Sequence, residues 1–199
     1  MARTREFDTA AAVDQAMHVF WRKGYEATSI QDLVDATGIG RGSLYAAFGS
    51  KDGLYEAALA RYAAQAATVN TGVLQRPAPI RELLRDLLLG MVDETVDDPE
   101  RRGCLITNTA VERAPRDPTA GRIVGTALDA LADAVTAALR RARDQGELPA
   151  DTDLTAYADL IVTTVQGLRV QGKAGADRRR LASVVALTLS VLPVHDRTS

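Results

Sequence analysis

TSIQDLVDATGIGRGSLYAAFGSK, residues 28–51, breaks into two short helical patterns on either side of Thr37-Gly38. A hydroxyl cap at Thr28 or Ser29 precedes Ile30, Leu33 and Val34 on one face, so a helix begins there. Gly38 ends it, and a second pattern runs from about Arg41 to Phe48 before Gly49-Ser50 stops it and caps the next. Two short helices joined by a glycine turn make a helix-turn-helix, provided that apolar residues lock the pair. Ile30, Leu33, Val34, Ile39, Leu44 and Phe48 supply that lock. Arg41, Gly42, Ser43, Tyr45 and Ala46 are left facing outward, a small hydrogen-bonding set with one guanidinium, suited to a major groove about 12 Å wide.

Helical spacing continues on both sides. Thr9 to Lys23 places Val13, Ala16, Met17, Phe20 and Trp21 on one face, with Asp8 as cap and Gly24 as stop. A long helix follows from Lys51 to about Gln75, its buried side marked by Leu54, Ala58, Tyr62 and Val69. Pro77 and Pro79 end it. Further helices are expected over Ile80 to about Thr95, Cys104 to Arg113, Pro118 to Asp144, a span beginning near Leu154, and Asp177 to Leu192. No run alternates convincingly, although the β-branched Ile161–Val165 leans that way. The expected fold is all-α, with about nine helices. A helix-turn-helix domain covers residues 1–50 and a helical ligand-binding and dimerisation domain residues 51–199.

The run ATGIGRGSLYAAFGSKDGLYEAAL (residues 36–59), with Phe20, Gly24, Tyr25, Thr28 and Ile30 before it, resembles the N-terminal domain of TetR-type transcriptional repressors. The likeness covers roughly residues 7–60. It implies a nine-helix homodimer whose first three helices bind operator DNA, with a small-molecule inducer in the C-terminal domain releasing it. Carried over to this chain, Thr28 caps the second helix and donates to a phosphate, with Ser29 beside it. Arg41, Gly42 and Ser43 start the recognition helix, Tyr45 touches backbone phosphate or a thymine methyl, and Lys51 contacts phosphate. The chain departs from the family at Ala46 and Ala47, where relatives carry bulkier side chains, which leaves more of the base reading to Arg41.

Composition agrees with a soluble globular protein: 46% apolar and 25% charged residues exclude disorder as the main state. The net charge of −2 argues against a chain coated in nucleic acid but neither makes nor excludes a DNA-binding role, which position has to decide. No apolar run reaches the roughly 18 residues needed to cross a bilayer, and Glu6 and Asp8 interrupt the start where a signal peptide would be apolar. A cytoplasmic protein with no membrane partner is expected. The two histidines, His18 and His195, do not lie at ligand spacing and one cysteine cannot build a structural zinc site, so neither a metal nor another cofactor is expected. An enzyme is disfavoured. Gly38-Ile39-Gly40-Arg41-Gly42 lacks a preceding strand. Gly167–Lys173 spells GxxxxGK, but Ala174 stands where a magnesium-binding hydroxyl belongs.

In the C-terminal half, an apolar pocket is expected among the fifth to eighth helices, with Met91, Cys104, Asn108, Glu112, Gln166 and Arg169 as candidate ligand residues. Leu88 and Thr109 are weaker candidates. Cys104 opens a helix beside Arg101 and Arg102, a setting for a reactive thiol, but the favoured reading is a small buried hydrophobe. The stripes Leu154, Ala158, Ile161, Val165, Leu168 and Leu181, Val184, Val185 are assigned to a four-helix dimer interface. The helix from Lys51 is expected to be the only element touching both halves. A DNA-binding protein whose C-terminal half only dimerises is the alternative.

Overall fold

The computed structural model describes residues 8–193. Among them are nine helices: α1 (Thr9–Lys23), α2 (Ile30–Thr37), α3 (Arg41–Phe48), α4 (Lys51–Leu74), α5 (Ile80–Val96), α6 (Leu105–Glu112), α7 (Pro118–Asp144), α8 (Leu154–Lys173) and α9 (Arg178–Ser190). The described residues contain no strand. Local chemistry sets most of the starts. Asp8, Ser50, Asp117, Asp153 and Asp177 each accept a backbone N–H from the first turn of their helix, and Pro118 needs no such bond at the first position of α7.

At α2 the cap is Ser29, not Thr28. Ser29 Oγ accepts from the Asp32 N–H while the Asp32 carboxylate accepts from the Ser29 N–H, a reciprocal capping box. The β-branched run Ile161–Val165 is helical because Ile161, Val165 and Leu168 fall one turn apart on the buried face of α8. Gly167–Lys173 lies wholly inside that helix, so it forms no phosphate loop. Gly172 is instead a point where α8 packs tightly on α5: a Cβ there would lie 2.4 Å from Thr95 Cγ2.

Two hydrophobic clusters organise the chain. One gathers α5, α8 and α9 with the C-terminal part of α7, around Leu84, Leu88, Leu139, Ile161 and Leu181. The other gathers α1–α3, the first half of α4, α6 and the start of α7, around Phe20, Leu33, Tyr55, Leu59 and Ile106. Packing is therefore continuous from the helix-turn-helix into α6. The earlier assignment of Val69 to the buried side of α4 is corrected, since that side chain is exposed.

The α3–α4 turn depends on Gly53, where an added Cβ would lie 2.1 Å from the Phe48 carbonyl oxygen. Backbone cannot rotate away as a side chain can, so Gly53→Ala forces the turn open. Overpacking of this kind costs about 1–3 kcal/mol, against about 1 kcal/mol of helix propensity gained. A lower urea midpoint for Gly53→Ala is the expected result, and an unchanged or higher one contradicts it.

Candidate nucleic-acid interface and ligand cavity

The helix-turn-helix is held from beneath. Gly38 adopts φ 66°, a left-handed conformation that glycine reaches freely, and its N–H donates to the Val34 carbonyl at 2.8 Å. Leu33 and Leu44 are buried between the helices, with Ile30, Val34, Ile39 and Phe48 packed around them. On the outer side of α3, Arg41, Gly42, Tyr45 and Ala46 are exposed and Ser43 is half-buried. The Arg41 guanidinium lies 5.6 Å from the centre of the Tyr45 ring. Ser29 is exposed at the start of α2, and Lys51 holds its ammonium 4.0 Å above the Tyr25 ring. Thr28 does not fit the role carried over to it. It is 2% exposed, its hydroxyl donates to the Gly24 carbonyl and its N–H to Tyr25, so both donors are used within the chain.

Behind this surface, α6 grips the helix-turn-helix. Arg113 stacks its guanidinium 3.5 Å from the centre of the Tyr25 ring, pairs with Asp52 at the start of α4, and bonds Asp117 at 2.7 Å. Tyr25 donates its phenolic hydrogen to the same Asp52 at 2.6 Å. These bonds hold Asp52 below the usual carboxylate range, with Tyr25 contributing most and Arg113 next, while partial burial opposes them. Burial pushes the Tyr25 hydroxyl up, and its bond to Asp52 adds to that. One turn earlier on α6, the Thr109 and Tyr55 hydroxyls share a buried hydrogen bond of 2.7 Å. Glu112 faces Gly24 and accepts the Glu26 N–H at 3.2 Å. Thus α4 is not the only element that touches both halves.

A cavity of about 240 Å³ lies among α4–α8. Four of the expected residues line it: Met91, Cys104, Gln166 and Arg169. Asn108 and Glu112 do not. They line a neighbouring outer groove, where Asn108 donates to the Arg102 carbonyl and accepts from Lys173. Of the weaker candidates, Leu88 is in the C-terminal core and Thr109 is bonded to Tyr55. Sequence reasoning missed Trp21, Ile106 and Leu131, together with Ala63, Ala66, Ala127 and Ala134. The alanines were the available signal: small side chains on facing helices leave room that larger ones would fill. Cys104 is half-buried in the wall near Tyr62, whose hydroxyl is pushed up first by burial and then by Cys104.

The interface assignment needs correction. Leu154, Ala158, Ile161, Val165, Leu168, Leu181 and Val185 are buried in the chain's own core against α5 and α7, and of that set only Val184 is exposed. The outward faces carry Leu160 and Val170 on α8, with Val184, Leu187 and Val191 along and just past α9. Among the described residues no group of three or more His, Cys, Asp or Glu is placed to hold a metal, and no helix is long and apolar enough to cross a membrane. His18 is exposed beside Trp21; His195 lies outside the described residues.

Two family models match the chain: the bacterial regulatory proteins of the tetR family over residues 12–58, and a tetracyclin repressor-like C-terminal domain over residues 76–187. The HTH-type transcriptional regulator YezE of Bacillus subtilis (strain 168) is 39% identical over 194 residues, covering 96% of this chain and all of the relative. The HTH-type transcriptional repressor ComR of Escherichia coli (strain K12) is 29% identical, covering 96% of this chain and 91% of its own. Among solved structures, a cysteine-substituted form of the TetR family regulator CifR, complexed with 26-base-pair operator DNA, is 35% identical with a TM-score of 0.86, over 96% of this chain and all of the other.

Proposed function

Because the chain belongs to the TetR family of bacterial regulatory proteins, we propose that it is a homodimeric repressor that binds a palindromic operator and releases it when a small molecule enters the cavity. It is a DNA-binding transcriptional regulator and not an enzyme. In this reading residues 1–50 carry the DNA contacts, residues 51–199 carry dimerisation and ligand binding, and the protein works in the cytoplasm. The observation that carries it is the outer face of α3, where Arg41, Gly42, Tyr45 and Ala46 stand free on a framework locked by Leu33 and Leu44.

Arg41 reads a base edge and Tyr45 supports its guanidinium. Ser43, at the same end of α3, adds a hydroxyl. Ser29 and Lys51 flank α3 and contact phosphate, Lys51 reaching from the N-terminus of α4, where the helix dipole also favours an anion. The twofold axis of the dimer places two copies of α3 in successive major grooves, about 34–36 Å apart or a multiple of it. Ligand in the cavity acts on the spacing of the two heads along two routes, the length of α4 and the grip of α6, since both line the cavity and both hold the helix-turn-helix.

The test separates base reading from phosphate contact. Arg41→Ala is expected to relax preference at one base pair per half-site, about 1–3 kcal/mol for a bidentate arginine–guanine contact. Lys51→Ala is expected to weaken all operator variants alike and to lower the salt slope by about one per contact. Binding of both variants to a set of single-base operator mutants at several salt concentrations reads this out. The same profile for both overturns the assignment.

A further inference from the structure

We propose that the cavity takes a compact, largely apolar molecule bearing one carboxylate, which Arg169 of α8 receives with help from the Gln166 amide. This rests on the reading of the cavity as a regulatory ligand site and names the chemistry of what enters it.

Among the described residues in the lining Arg169 is the one arginine or lysine, and its side chain is only 11% exposed. A guanidinium carries five N–H donors and stays charged. The structure uses two bonds: a long one of 3.3 Å to Thr95 Oγ1 and one of 2.8 Å to Glu94. Glu94 stands at the rim, 58% exposed, so water already solvates it and it compensates the buried cation poorly. No side-chain nitrogen among the described residues is both sealed and without a partner, so Arg169 Nε, which makes no hydrogen bond, is not sealed, and Arg169 borders both this cavity and the outer groove of Asn108 and Lys173. A buried, incompletely paired guanidinium favours a planar anion that can bond it twice.

Gln166 precedes Arg169 by three residues, placing both on one face of α8. Its carbonyl oxygen accepts from Thr107 Oγ1 at 2.7 Å, which fixes the amide and leaves its N–H₂ group as a donor. Most of the remaining wall is apolar, from Met91, Ile106, Leu128, Leu131 and Val165, with Gln65, Asn70, Thr71 and Glu94 as further polar residues. At about 240 Å³ the space falls below the roughly 300–1,000 Å³ of most small-molecule pockets, which limits the ligand to a compact one. A ligand with one charged end and one apolar end matches both regions, whereas a polyanion would meet apolar wall beyond Arg169.

Trp21 is the sole tryptophan and lines the cavity, so its fluorescence reports occupancy in the full-length protein without knowledge of the operator. Phenylacetate, neutral phenylacetamide and cationic phenethylamine have similar shapes and different charge. Saturable quenching is expected from phenylacetate, with phenylacetamide about tenfold weaker or more, and phenethylamine weakest. Arg169→Met keeps the stem without the charge and should bring the acid down to the amide's level. Glu94→Gln removes the competing anion and should tighten the acid several-fold while leaving the amide unchanged. That variant and the wild-type series decide the matter even where Arg169→Met fails to fold. Equal or stronger binding of the amide or amine, no quenching by any of the three, or a Glu94→Gln change shared by acid and amide overturns the proposal. A neutral molecule that releases operator overturns it but leaves the regulatory reading intact. Acid binding that leaves operator affinity unchanged does the reverse.

Discussion

Leu187→Glu is expected to turn the dimer into monomers at micromolar concentration and to abolish operator binding there. Leu187 is 70% exposed on α9, and Val184 and Val191 lie one turn away on the same face. The outer face of α8 adds Leu160 and Val170, with the small Thr163 and Gly167 between them at helical spacing. Left uncovered, these two faces would form the contiguous apolar surface that a monomer avoids. Around a twofold axis each covers its counterpart, so one substitution enters the interface twice and sets two carboxylates near each other. A monomer brings a single recognition helix to the DNA, and losing the linked second site costs about 10²–10⁴ in apparent affinity. Leu168→Glu makes the contrast. Leu168 is 2% exposed within the C-terminal core, so a glutamate there buries an unpaired charge and unfolds the domain. Sedimentation and circular dichroism separate a folded monomer from an unfolded chain. A folded dimer from Leu187→Glu would show that α8 and α9 do not meet across the axis.

The same pair of residues shows where sequence periodicity stops being informative. On α8 the stripe from Leu154 to Leu168 is the most apolar one, and assigning it to the partner was natural for a helix thought to be half outside the core. The chain claims that face first, because α5 and α7 are already tethered beside it and pay no association entropy. What remains outward on α8 is the mixed stripe of Leu160, Thr163, Gly167 and Val170, which carries no strong signal in one dimension. The helix-turn-helix was legible because its geometry is local: a left-handed glycine, a capping serine and a short apolar lock all fall within residues 28–51. The cavity was half legible. Arg169, Gln166, Met91 and Cys104 announce themselves as chemistry, whereas Trp21 and the alanines of α4 and α7 matter through the space between helices distant in sequence.

Arg113→Met is expected to destabilise the fold by about 2 kcal/mol and, more tellingly, to blunt the response of operator affinity to ligand. Breaking a buried ion pair typically costs about 3–5 kcal/mol, but Asp52 is half in solvent and the figure shrinks accordingly. Stacking on Tyr25 is lost as well, and its hydroxyl then holds Asp52 alone. Regulation follows from position. Cys104, at the entry to α6, and Ile106 line the cavity, while Thr109, Glu112 and Arg113 at the other end hold Tyr55, the Gly24–Glu26 segment and Asp52. A ligand that shifts α6 by a fraction of a turn therefore moves the start of α4, and with it Lys51 and the recognition helix. Coupling free energies of about 1–3 kcal/mol, or 5–150-fold in affinity, are usual for such links. With Met at 113 the ionic grip on Asp52 is gone, so the ratio of operator affinities without and with ligand should fall toward one. Tyr25→Phe keeps the Arg113 stack and pairing, loses one hydroxyl, and should retain most of the ratio. An Arg113→Met protein that is less stable yet keeps the full ratio would assign the transmission to α4 alone.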